Sequence, residues 1–284
     1  KACAMVNADL GLLDRNIAET ISASVECITK GKFDDNFPLV VWQTGSGTQT
    51  NMNLNEVIAN KSIEKLNGEI GSKDPVHPND HVNKGQSSND TYPTAMHIAA
   101  LNAIESKLLP SIKEFYEALA KKEDDFADIA KIGRTHMQDA TPITLGDEFS
   151  GFAYQIKDNI ERLEIAIQEL RTLAIGGTAV GTGLNTHLEF DSRVCQELSR
   201  NLGTKFVPAE NKFSQMAAND VLVNVSSCLK TIAVSLMAIA NNIRMLASGP
   251  RCGIGEIILP SNEPGSSIMP GKVNPTQAEA MTMV

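Results

Sequence analysis

The sequence lacks several features that mark whole classes of protein. Its five cysteines are odd in number and scattered, and no two have the CxxC spacing of a zinc ligand pair. A disulfide framework and a structural zinc site are therefore both disfavoured, and a reducing compartment fits this cysteine content. There is no cluster of lysine and arginine, and 34 acidic residues against 25 basic ones give a net charge of −9. Such a chain is a poor partner for nucleic acid or for an anionic membrane.

Long uninterrupted hydrophobic runs are also missing. The most apolar stretch, 230–244, is broken by Thr231 and Ser235 and is too short by itself to span a bilayer. Of the 284 residues 42% are apolar, which is enough to bury the core of one or two globular domains. No signal peptide opens the sequence, and neither end carries a helix cap or stop signal. We therefore expect this chain to be part of a longer protein.

Strand patterns are scarce, and the best is PLVVW at 38–42, whereas helical periodicity is extensive. Apolar residues recur at every third or fourth position in several segments, which predicts helices over 5–28, 55–66, 94–119 (kinked at Pro110), 149–170 and 191–202. A seven-residue apolar repeat runs from Val225 to Leu246 and predicts a further long helix. That helix is apolar on nearly all faces, which predicts that it packs against other copies of the chain.

Long helices joined by polar loops predict a mainly α protein, in which a long helix bundle follows a smaller mixed region at the N-terminus. The texture changes near residue 90, from short elements and loops to long helices. This change predicts an N-terminal domain over 1–90 and a helix-bundle domain over 91–284.

Four polar loops separate the helices, and each is rich in glycine, hydroxyl and amide side chains. They are QTGSGTQTNMN at 43–53, HPNDHVNKGQSSNDTYPT at 77–94, GRTHMQDATPITLG at 133–146 and EPGSSIMPGKVNPTQAEA at 263–280. Backbone N–H groups and hydroxyls ahead of a helix suit a carboxylate or a phosphate, although an ordinary helix cap explains any one loop equally well. Together with Lys272, the only cation of the fourth loop, the four loops predict a site for a small dianionic acid.

Two other kinds of site are disfavoured. The first loop has no P-loop lysine, so it does not indicate nucleotide binding. His77, Asp80 and His81 lie close together, but the His-Pro-Asn-Asp stretch at 77–80 matches no metal-ligand spacing on a helix face. A structural turn is therefore favoured over a metal site.

The loops resemble those of the fumarase/aspartase superfamily. GSSIMPGKVNP at 265–275 is similar to its signature loop. TGSGTQTNMN, HPNDHVNKGQSSND, GRTHMQDATPITLG and GGTAVGTGLN (176–185) resemble class II fumarate hydratases in particular, over nearly the whole chain. Gly271 and the NPTQ at 274–277 are fumarase-like, because aspartases usually have MPAKVNP and argininosuccinate lyases MPQK at this point.

The resemblance implies a lyase of the tricarboxylic acid cycle that adds water reversibly to fumarate to give L-malate, without a metal or a cofactor. It implies a homotetramer whose active sites are shared between subunits, in the cytoplasm or, in a eukaryote, in the mitochondrial matrix. The family's helical start, its small C-terminal domain and the continuation of the last bundle helix past Val284 are not in this sequence. Activity of this chain alone is therefore left open.

Carried over by position, the resemblance also implies a role for individual residues. Ser266 matches the catalytic base, and Lys272 and Asn274 match the groups that bind the carboxylate taking up charge. His136 matches a histidine that pairs with an acid, here Glu279, around a catalytic water. The matching substrate donors are Ser46, Thr48, Ser87, Ser88, Asn89, Thr135 and Ser267. A second carboxylate site of unclear role matches His77, Asn79 and Asp80.

These residue types fit the implied chemistry. Removing a proton from carbon 3 of malate leaves a carbanion whose charge spreads into the neighbouring carboxylate, and Lys272 and Asn274 would stabilise that species. A serine hydroxyl is too weak a base unless nearby donors lower its pKa. The backbone N–H groups of the glycine-rich loop are suited to lower the pKa of Ser266.

Two alternatives stay open at this point. One is an aspartate ammonia-lyase of the same superfamily, against which Gly271 is evidence. The other is a non-catalytic helical assembly fragment that has kept the motifs, which the open chain ends favour. Assays with malate and with aspartate separate these possibilities.

Overall fold

A computed structural model describes the whole chain, Lys1–Val284, and helices dominate it, which confirms a mainly α protein. The α-helices are α1 (Ala2–Asp9), α2 (Arg15–Ile28), α3 (Thr48–Lys65), α4 (Ser88–Ala103), α5 (Leu109–Asp125), α6 (Leu145–Ala166), α7 (Phe190–Leu202), α8 (Lys212–Ala217), α9 (Asp220–Leu246) and α10 (Thr276–Met283). Turns of 3-10 helix occur at Asp34–Asn36 and Glu169–Arg171, and turns of π-helix at Pro78–Val82 and Ile104–Leu108. Strands β1 (Ala130–Thr135) and β2 (Gln138–Thr144) form an antiparallel hairpin, and β3 (Thr172–Leu173) pairs in parallel with β4 (Val207–Pro208).

The chain forms two compact units. Unit 1 comprises Lys1–Ala103 and Ile167–Leu222, and unit 2 comprises Ile104–Ala166 and Val223–Val284. Each unit is thus assembled from two separate stretches of sequence. Compactness and domain membership are different properties, so the domain boundary near residue 90 stays a prediction.

In unit 1, helices α1, α2 and α3 pack together around one apolar cluster. Its buried members are Ala4, Leu13, Ala18, Ile21, Ile58, Ala59, Ile63, Val76 and Val82. The single helix predicted over 5–28 is wrong in its middle. Gly11 adopts φ +73°, which a helix interior excludes, and the Asp14 carboxylate then caps α2 by accepting the N–H groups of Asn16 and Ile17 at 2.9 and 3.1 Å.

In unit 2, helices α5 and α6 pack along each other. Phe149 stacks edge-to-face on Phe126 and on Phe152, with ring centroids 5.2 and 5.5 Å apart. The helix predicted from Phe149 onward is confirmed, and its buried apolar residues recur at the spacing that defines one helix face. They are Phe149, Phe152, Ile156, Ile160 and Leu163.

Helix α9 is long, and few of its residues are buried. Val225, Ile232, Ile239 and Leu246 are buried at every seventh position, as the sequence repeat predicts. The opposite faces stay apolar and exposed, since Val223 and Val234 each expose 62% of their surface. By length and composition alone this 27-residue helix could cross a membrane, although the apolar stretch 230–244 by itself is too short to span a bilayer. A single helix of this kind is weak evidence for a membrane span, because core helices of soluble proteins pass the same test of length and composition.

Other predictions about single elements fail for identifiable reasons. The PLVVW strand does not form: Leu39 to Trp42 lie in irregular chain without a partner strand, and Trp42 exposes 89% of its surface. The helix predicted over 94–119 is instead α4 and α5 joined by a π-helical turn, and Pro110 lies in the first turn of α5, where proline is tolerated. The β1–β2 hairpin was not predicted at all.

Candidate functional site

In unit 1 the first turns of α3 and α4 meet and bring two of the polar loops together. Gly47 is in the left-handed conformation at the start of α3, and a Cβ added there would overlap the ring of Tyr92 in α4. The Asn51 amide donates a hydrogen bond of 3.0 Å to the Ser88 hydroxyl. The predicted donors of these two loops therefore lie in one region, and they are Ser46, Thr48, Ser87, Ser88 and Asn89.

The start of α4 is fixed by reciprocal hydrogen bonds. The Ser87 hydroxyl accepts the N–H of Asn89 at 3.2 Å, while the carboxylate of Asp90 accepts the N–H of Ser87 at 2.9 Å. This is a capping box, in which each side chain satisfies a backbone donor at the helix start. The Asn89 amide then donates to the Ala179 carbonyl at 2.8 Å, which joins this turn to the GGTAVGTGLN loop.

A cavity of about 800 Å³ lies beside this turn, and polar side chains line much of it. Ser87 and Ser88 line it together with Asn79 and Asp80, so unit 1 brings part of the predicted second carboxylate site into the same cavity as predicted substrate donors. Thr178 and Asn185 contribute the GGTAVGTGLN side of the cavity. A space of this size is large enough for a small organic ligand.

His77 caps the π-helical turn at Pro78–Val82, as a structural turn requires. Its Nδ1 accepts the N–H groups of Asn79 and Asp80, both at 3.2 Å, and lies 3.5 Å from the Asp80 carboxylate. Since Nδ1 accepts hydrogen bonds, the neutral ring carries its proton on Nε2 and has one donor left. The His77 backbone N–H donates to Nδ1 of His81 at 2.9 Å, and burial lowers the pKa of His81.

In unit 2 the predicted residues Thr135 and His136 lie at the tip of the β1–β2 hairpin. Thr135 pairs with Gln138, so His136 and Met137 form a two-residue turn, with φ +54° and +61°. Positive φ at both positions is the geometry that matches the twist of the flanking strands. His136 is exposed and makes no hydrogen bond within the chain.

A cluster of charged side chains anchors this hairpin. The Arg134 guanidinium donates to the Glu256 carboxylate, and Lys131 lies 2.8 Å from the same carboxylate while also donating to Glu148. Burial alone would raise the pKa of Glu256, but its hydrogen bonds from Arg134 and Lys131 bring that pKa below the ordinary value. Strand β1 of the hairpin is thus held against the segment that leads into the signature loop.

The signature loop closes on itself between Gly265 and Lys272. The Gly265 N–H donates to the Lys272 carbonyl at 3.1 Å, and the Asn274 amide donates to the Gly265 carbonyl at 2.9 Å. Inside the loop the Ser266 hydroxyl oxygen accepts the N–H groups of Ile268 and Met269, both at 3.2 Å. Two backbone donors on one hydroxyl oxygen stabilise its alkoxide form.

The remaining predicted residues of unit 2 lie on or just after this loop. Ser267 and Lys272 are exposed, and Lys272 has no ion-pair partner within the chain. Glu279, in the first turn of α10, lies 3.8 Å from Arg244. It forms no pair with His136 within this chain, so the His136–Glu279 pair stays a prediction.

Sequence reasoning missed the charged residues that support the polar ones. Asp90 had a local signal, because a serine followed three residues later by an acid is the spacing of a capping box. Glu256 had none, since its partner Arg134 lies 122 positions earlier.

The chain is similar along its whole length to proteins of one family. A model of the Lyase family matches residues 1–284. A mitochondrial fumarate hydratase of Danio rerio is 61% identical over 284 residues, covering 100% of this chain and 56% of that protein. A class II fumarate hydratase of Nitrosomonas europaea is 59% identical, covering 100% and 62%. The crystal structure of a class II fumarase from Schistosoma mansoni matches with a TM-score of 0.96 and 44% identity, over 99% of this chain and 62% of that one.

This chain therefore spans less than two thirds of the length of these relatives. The family model nevertheless accounts for every residue of it, and the chain belongs to the Lyase family.

Proposed function

We propose that the full-length protein is a hydro-lyase that interconverts fumarate and L-malate. The observation that carries this proposal is the Ser266 hydroxyl oxygen, which accepts two backbone N–H groups in a loop whose only cation is unpaired. A base of this kind is needed to remove a carbon-bound proton next to a carboxylate. The substrate follows from the similarity to proteins named fumarate hydratases along the whole chain.

In the direction of dehydration, Ser266 as an alkoxide takes the proton from carbon 3 of malate. The electron pair left behind spreads into the adjacent carboxylate, where the positive charge of Lys272 opposes the added negative charge. Asn274 contributes its second amide hydrogen there, since the first already donates to Gly265. The bond from carbon 2 to its hydroxyl then breaks, and the departing hydroxide takes a proton from a water held by His136 and Glu279. The His136–Glu279 pair returns a proton to that water, and the proton on Ser266 passes to solvent.

The remaining predicted residues hold the substrate in this proposal. Hydroxyl and amide donors bind the carboxylates without adding a formal charge, so that Lys272 is the single full positive charge at the carboxylate that gains charge. These donors are Ser46, Thr48, Ser87, Ser88, Asn89, Thr135 and Ser267. In this proposal His77, Asn79 and Asp80 form a second carboxylate site near the substrate donors. Asn79 and Asp80 line the same cavity as Ser87 and Ser88.

Assembly completes the proposal. The exposed apolar faces of α9 are covered when four copies pack into a homotetramer, and each active site then draws its loops from more than one subunit. The similarity to mitochondrial and to bacterial fumarate hydratases supports a place in the cytoplasm or the mitochondrial matrix. No metal or cofactor has a role in the proposed steps.

The decisive experiment uses the full-length protein and follows the ultraviolet absorbance of the fumarate double bond. L-malate should be converted at a steady rate, whereas L-aspartate should give no fumarate. Ser266→Ala should abolish the malate reaction while leaving the melting temperature unchanged, because the side chain is on an exposed loop. Turnover of aspartate in place of malate would identify an ammonia-lyase, and turnover of neither would remove the hydratase proposal.

Shared sites are tested by subunit exchange between two inactive variants. One carries Ser88→Ala and Asn89→Ala, and the other carries His136→Asn. After exchange some sites contain only undamaged loops, so partial activity should return. Proven exchange without any recovery, or a fully active monomer in light scattering, would contradict sites shared between subunits.

A further inference from the structure

Asp90 carries a buried carboxylate that the proposed chemistry does not use. The residue has 0% exposure, and no lysine, arginine or histidine pairs with it. Four hydrogen bonds reach the carboxylate instead. Oδ1 accepts the Ser87 N–H at 2.9 Å and the Thr91 hydroxyl at 3.2 Å, and Oδ2 accepts the N–H groups of Gly176 and Thr178 at 3.0 and 2.8 Å.

The two oxygens of Asp90 serve two different parts of the chain. Oδ1 holds the turn that carries Ser87, and Oδ2 holds the GGTAVGTGLN loop, whose residues lie 86 and 88 positions away. Both parts line the polar cavity, through Ser87 and Ser88 on one side and Thr178 on the other. One carboxylate therefore bridges two walls of the cavity from behind.

The GGTAVGTGLN loop has a backbone conformation that is intrinsically unfavourable at one residue. Thr178 has φ +56°, in the left-handed region that a β-branched residue rarely adopts. Its N–H is one of the two that Oδ2 accepts, and the neighbouring Ala179 carbonyl accepts the Asn89 amide at 2.8 Å. A strained loop persists only where its surroundings determine it, and here Asp90 and Asn89 do so.

We propose that Asp90 is a positioning residue for the dicarboxylate site: its buried carboxylate sets Ser87, Ser88 and Asn89 against the 176–179 loop and thereby fixes the spacing of the donors that bind the substrate. This inference rests on the proposed function for the identity of the ligand. It also gives the GGTAVGTGLN motif a role, because the motif supplies the N–H groups that orient the carboxylate. Asp90 does not touch the substrate.

The test compares Asp90→Asn with a matched control in the full-length enzyme. Asparagine keeps the shape but has only one accepting oxygen, so one side of the bridge loses its acceptor. KM for L-malate should rise at least tenfold, with a smaller change in kcat, because the donors bind ground state and transition state alike. The control is Ser62→Ala, which removes a hydroxyl that is also fully buried and hydrogen-bonded, to Ser24 at 3.1 Å. KM should stay unchanged in the control.

Amide hydrogen exchange measures how well the Asp90 hydrogen bonds protect the 176–179 loop, and it does not require enzyme activity. Exchange at Gly176 and Thr178 should become at least tenfold faster in Asp90→Asn than in Ser62→Ala. An inactive wild type would end the proposed function, while the exchange rates and the dissociation constant for succinate would still decide the role of Asp90. The proposal would be overturned if Asp90→Asn lowered the melting temperature as Ser62→Ala does but left both KM and succinate binding unchanged. Asp90 would then be merely structural.

A milder variant covers the case in which Asp90→Asn does not fold. Thr91→Val removes only the hydroxyl that donates to Oδ1 and keeps the size of the side chain. It should raise KM in the same direction, by about twofold or more. A KM equal to that of the wild type in a folded Thr91→Val enzyme would then overturn the proposal.

Discussion

Gly265→Ala should disable the signature loop without disturbing the core of the protein. A Cβ added at Gly265 would overlap the carbonyl oxygen of Lys272 and lie 2.9 Å from its carbonyl carbon. Both atoms belong to the backbone, so no side chain can turn away to make room. The backbone of Gly265 is not left-handed, so the whole effect comes from this collision.

The magnitude follows from the two hydrogen bonds that close the loop. One joins the Gly265 N–H to Lys272, and the other joins Asn274 to the Gly265 carbonyl. At about 1 kcal/mol each, their loss shifts the balance between closed and open loop by about 2 kcal/mol. Since 1.4 kcal/mol is a factor of ten, this corresponds to roughly a 30-fold loss of the closed form. The collision acts by breaking these two hydrogen bonds, so about 30-fold is the expected decrease in kcat/KM.

The matched control lies in the same loop. Gly271→Ala meets no atom within 4 Å, although it places alanine at φ +79°. A left-handed alanine costs about 1–2 kcal/mol of local strain, but it breaks no hydrogen bond of the loop. Gly271→Ala should therefore keep more activity than Gly265→Ala.

The measurement is kcat/KM for L-malate in the full-length enzyme, together with the melting temperature of each variant. Both melting temperatures should stay close to that of the wild type, because the loop is mostly exposed and contributes no core residue. If Gly265→Ala were as active as Gly271→Ala, the closed loop would not be the conformation that carries the chemistry.

Further expectations concern three charged or titratable side chains of unit 2. Lys272→Met should lower kcat/KM for malate by several orders of magnitude with the fold intact, since loss of a charge partner costs about 3–5 kcal/mol; near-normal kcat/KM would remove Lys272 from the mechanism. His136→Asn should lower kcat more than it raises KM, because a group that orients the catalytic water acts mainly in the transition state; an unchanged kcat would leave His136 as a structural turn residue. Glu256 has a folded-state pKa below its ordinary value, so its ion pairs stabilise the protein above that ordinary pKa and are lost as the pH falls through the folded one. Unfolding temperatures measured across acidic pH should accordingly fall less steeply for Glu256→Gln than for the wild type, and parallel curves would contradict this.

The sequence predicted long helices well because their signal is local and repeated. The apolar spacing of α6 and α9 depends on many residues, so single exceptions do not obscure it. Predictions of short elements are wrong where a single residue or a missing partner determines the local structure. Gly11 breaks the predicted first helix, and PLVVW has strand-forming residues but no partner strand within the chain.

For the candidate site, residue types could be predicted from the sequence but the supporting contacts could not. The donors in polar loops were found from composition and motif. Their positions depend on Asp90 and Glu256, whose partners lie 86 and 122 residues away in the chain. A local sequence pattern does not predict hydrogen bonds or ion pairs between residues so far apart in the chain. The β1–β2 hairpin was missed for a related reason, since its two-residue turn is formed by His136 and Met137 without the usual glycine or asparagine.

The distribution of satisfied polar groups separates supporting residues from reacting ones. Within unit 1 the Asp90 carboxylate accepts four hydrogen bonds, and within unit 2 the Glu256 carboxylate is held by two cations. Lys272 and His136, in contrast, have no partner within the chain and are exposed. In the proposed reaction Lys272 is the full positive charge that a dianionic substrate would meet. The chain thus holds the Asp90 and Glu256 carboxylates fixed and leaves without a partner two of the groups that the proposed reaction needs, Lys272 and His136.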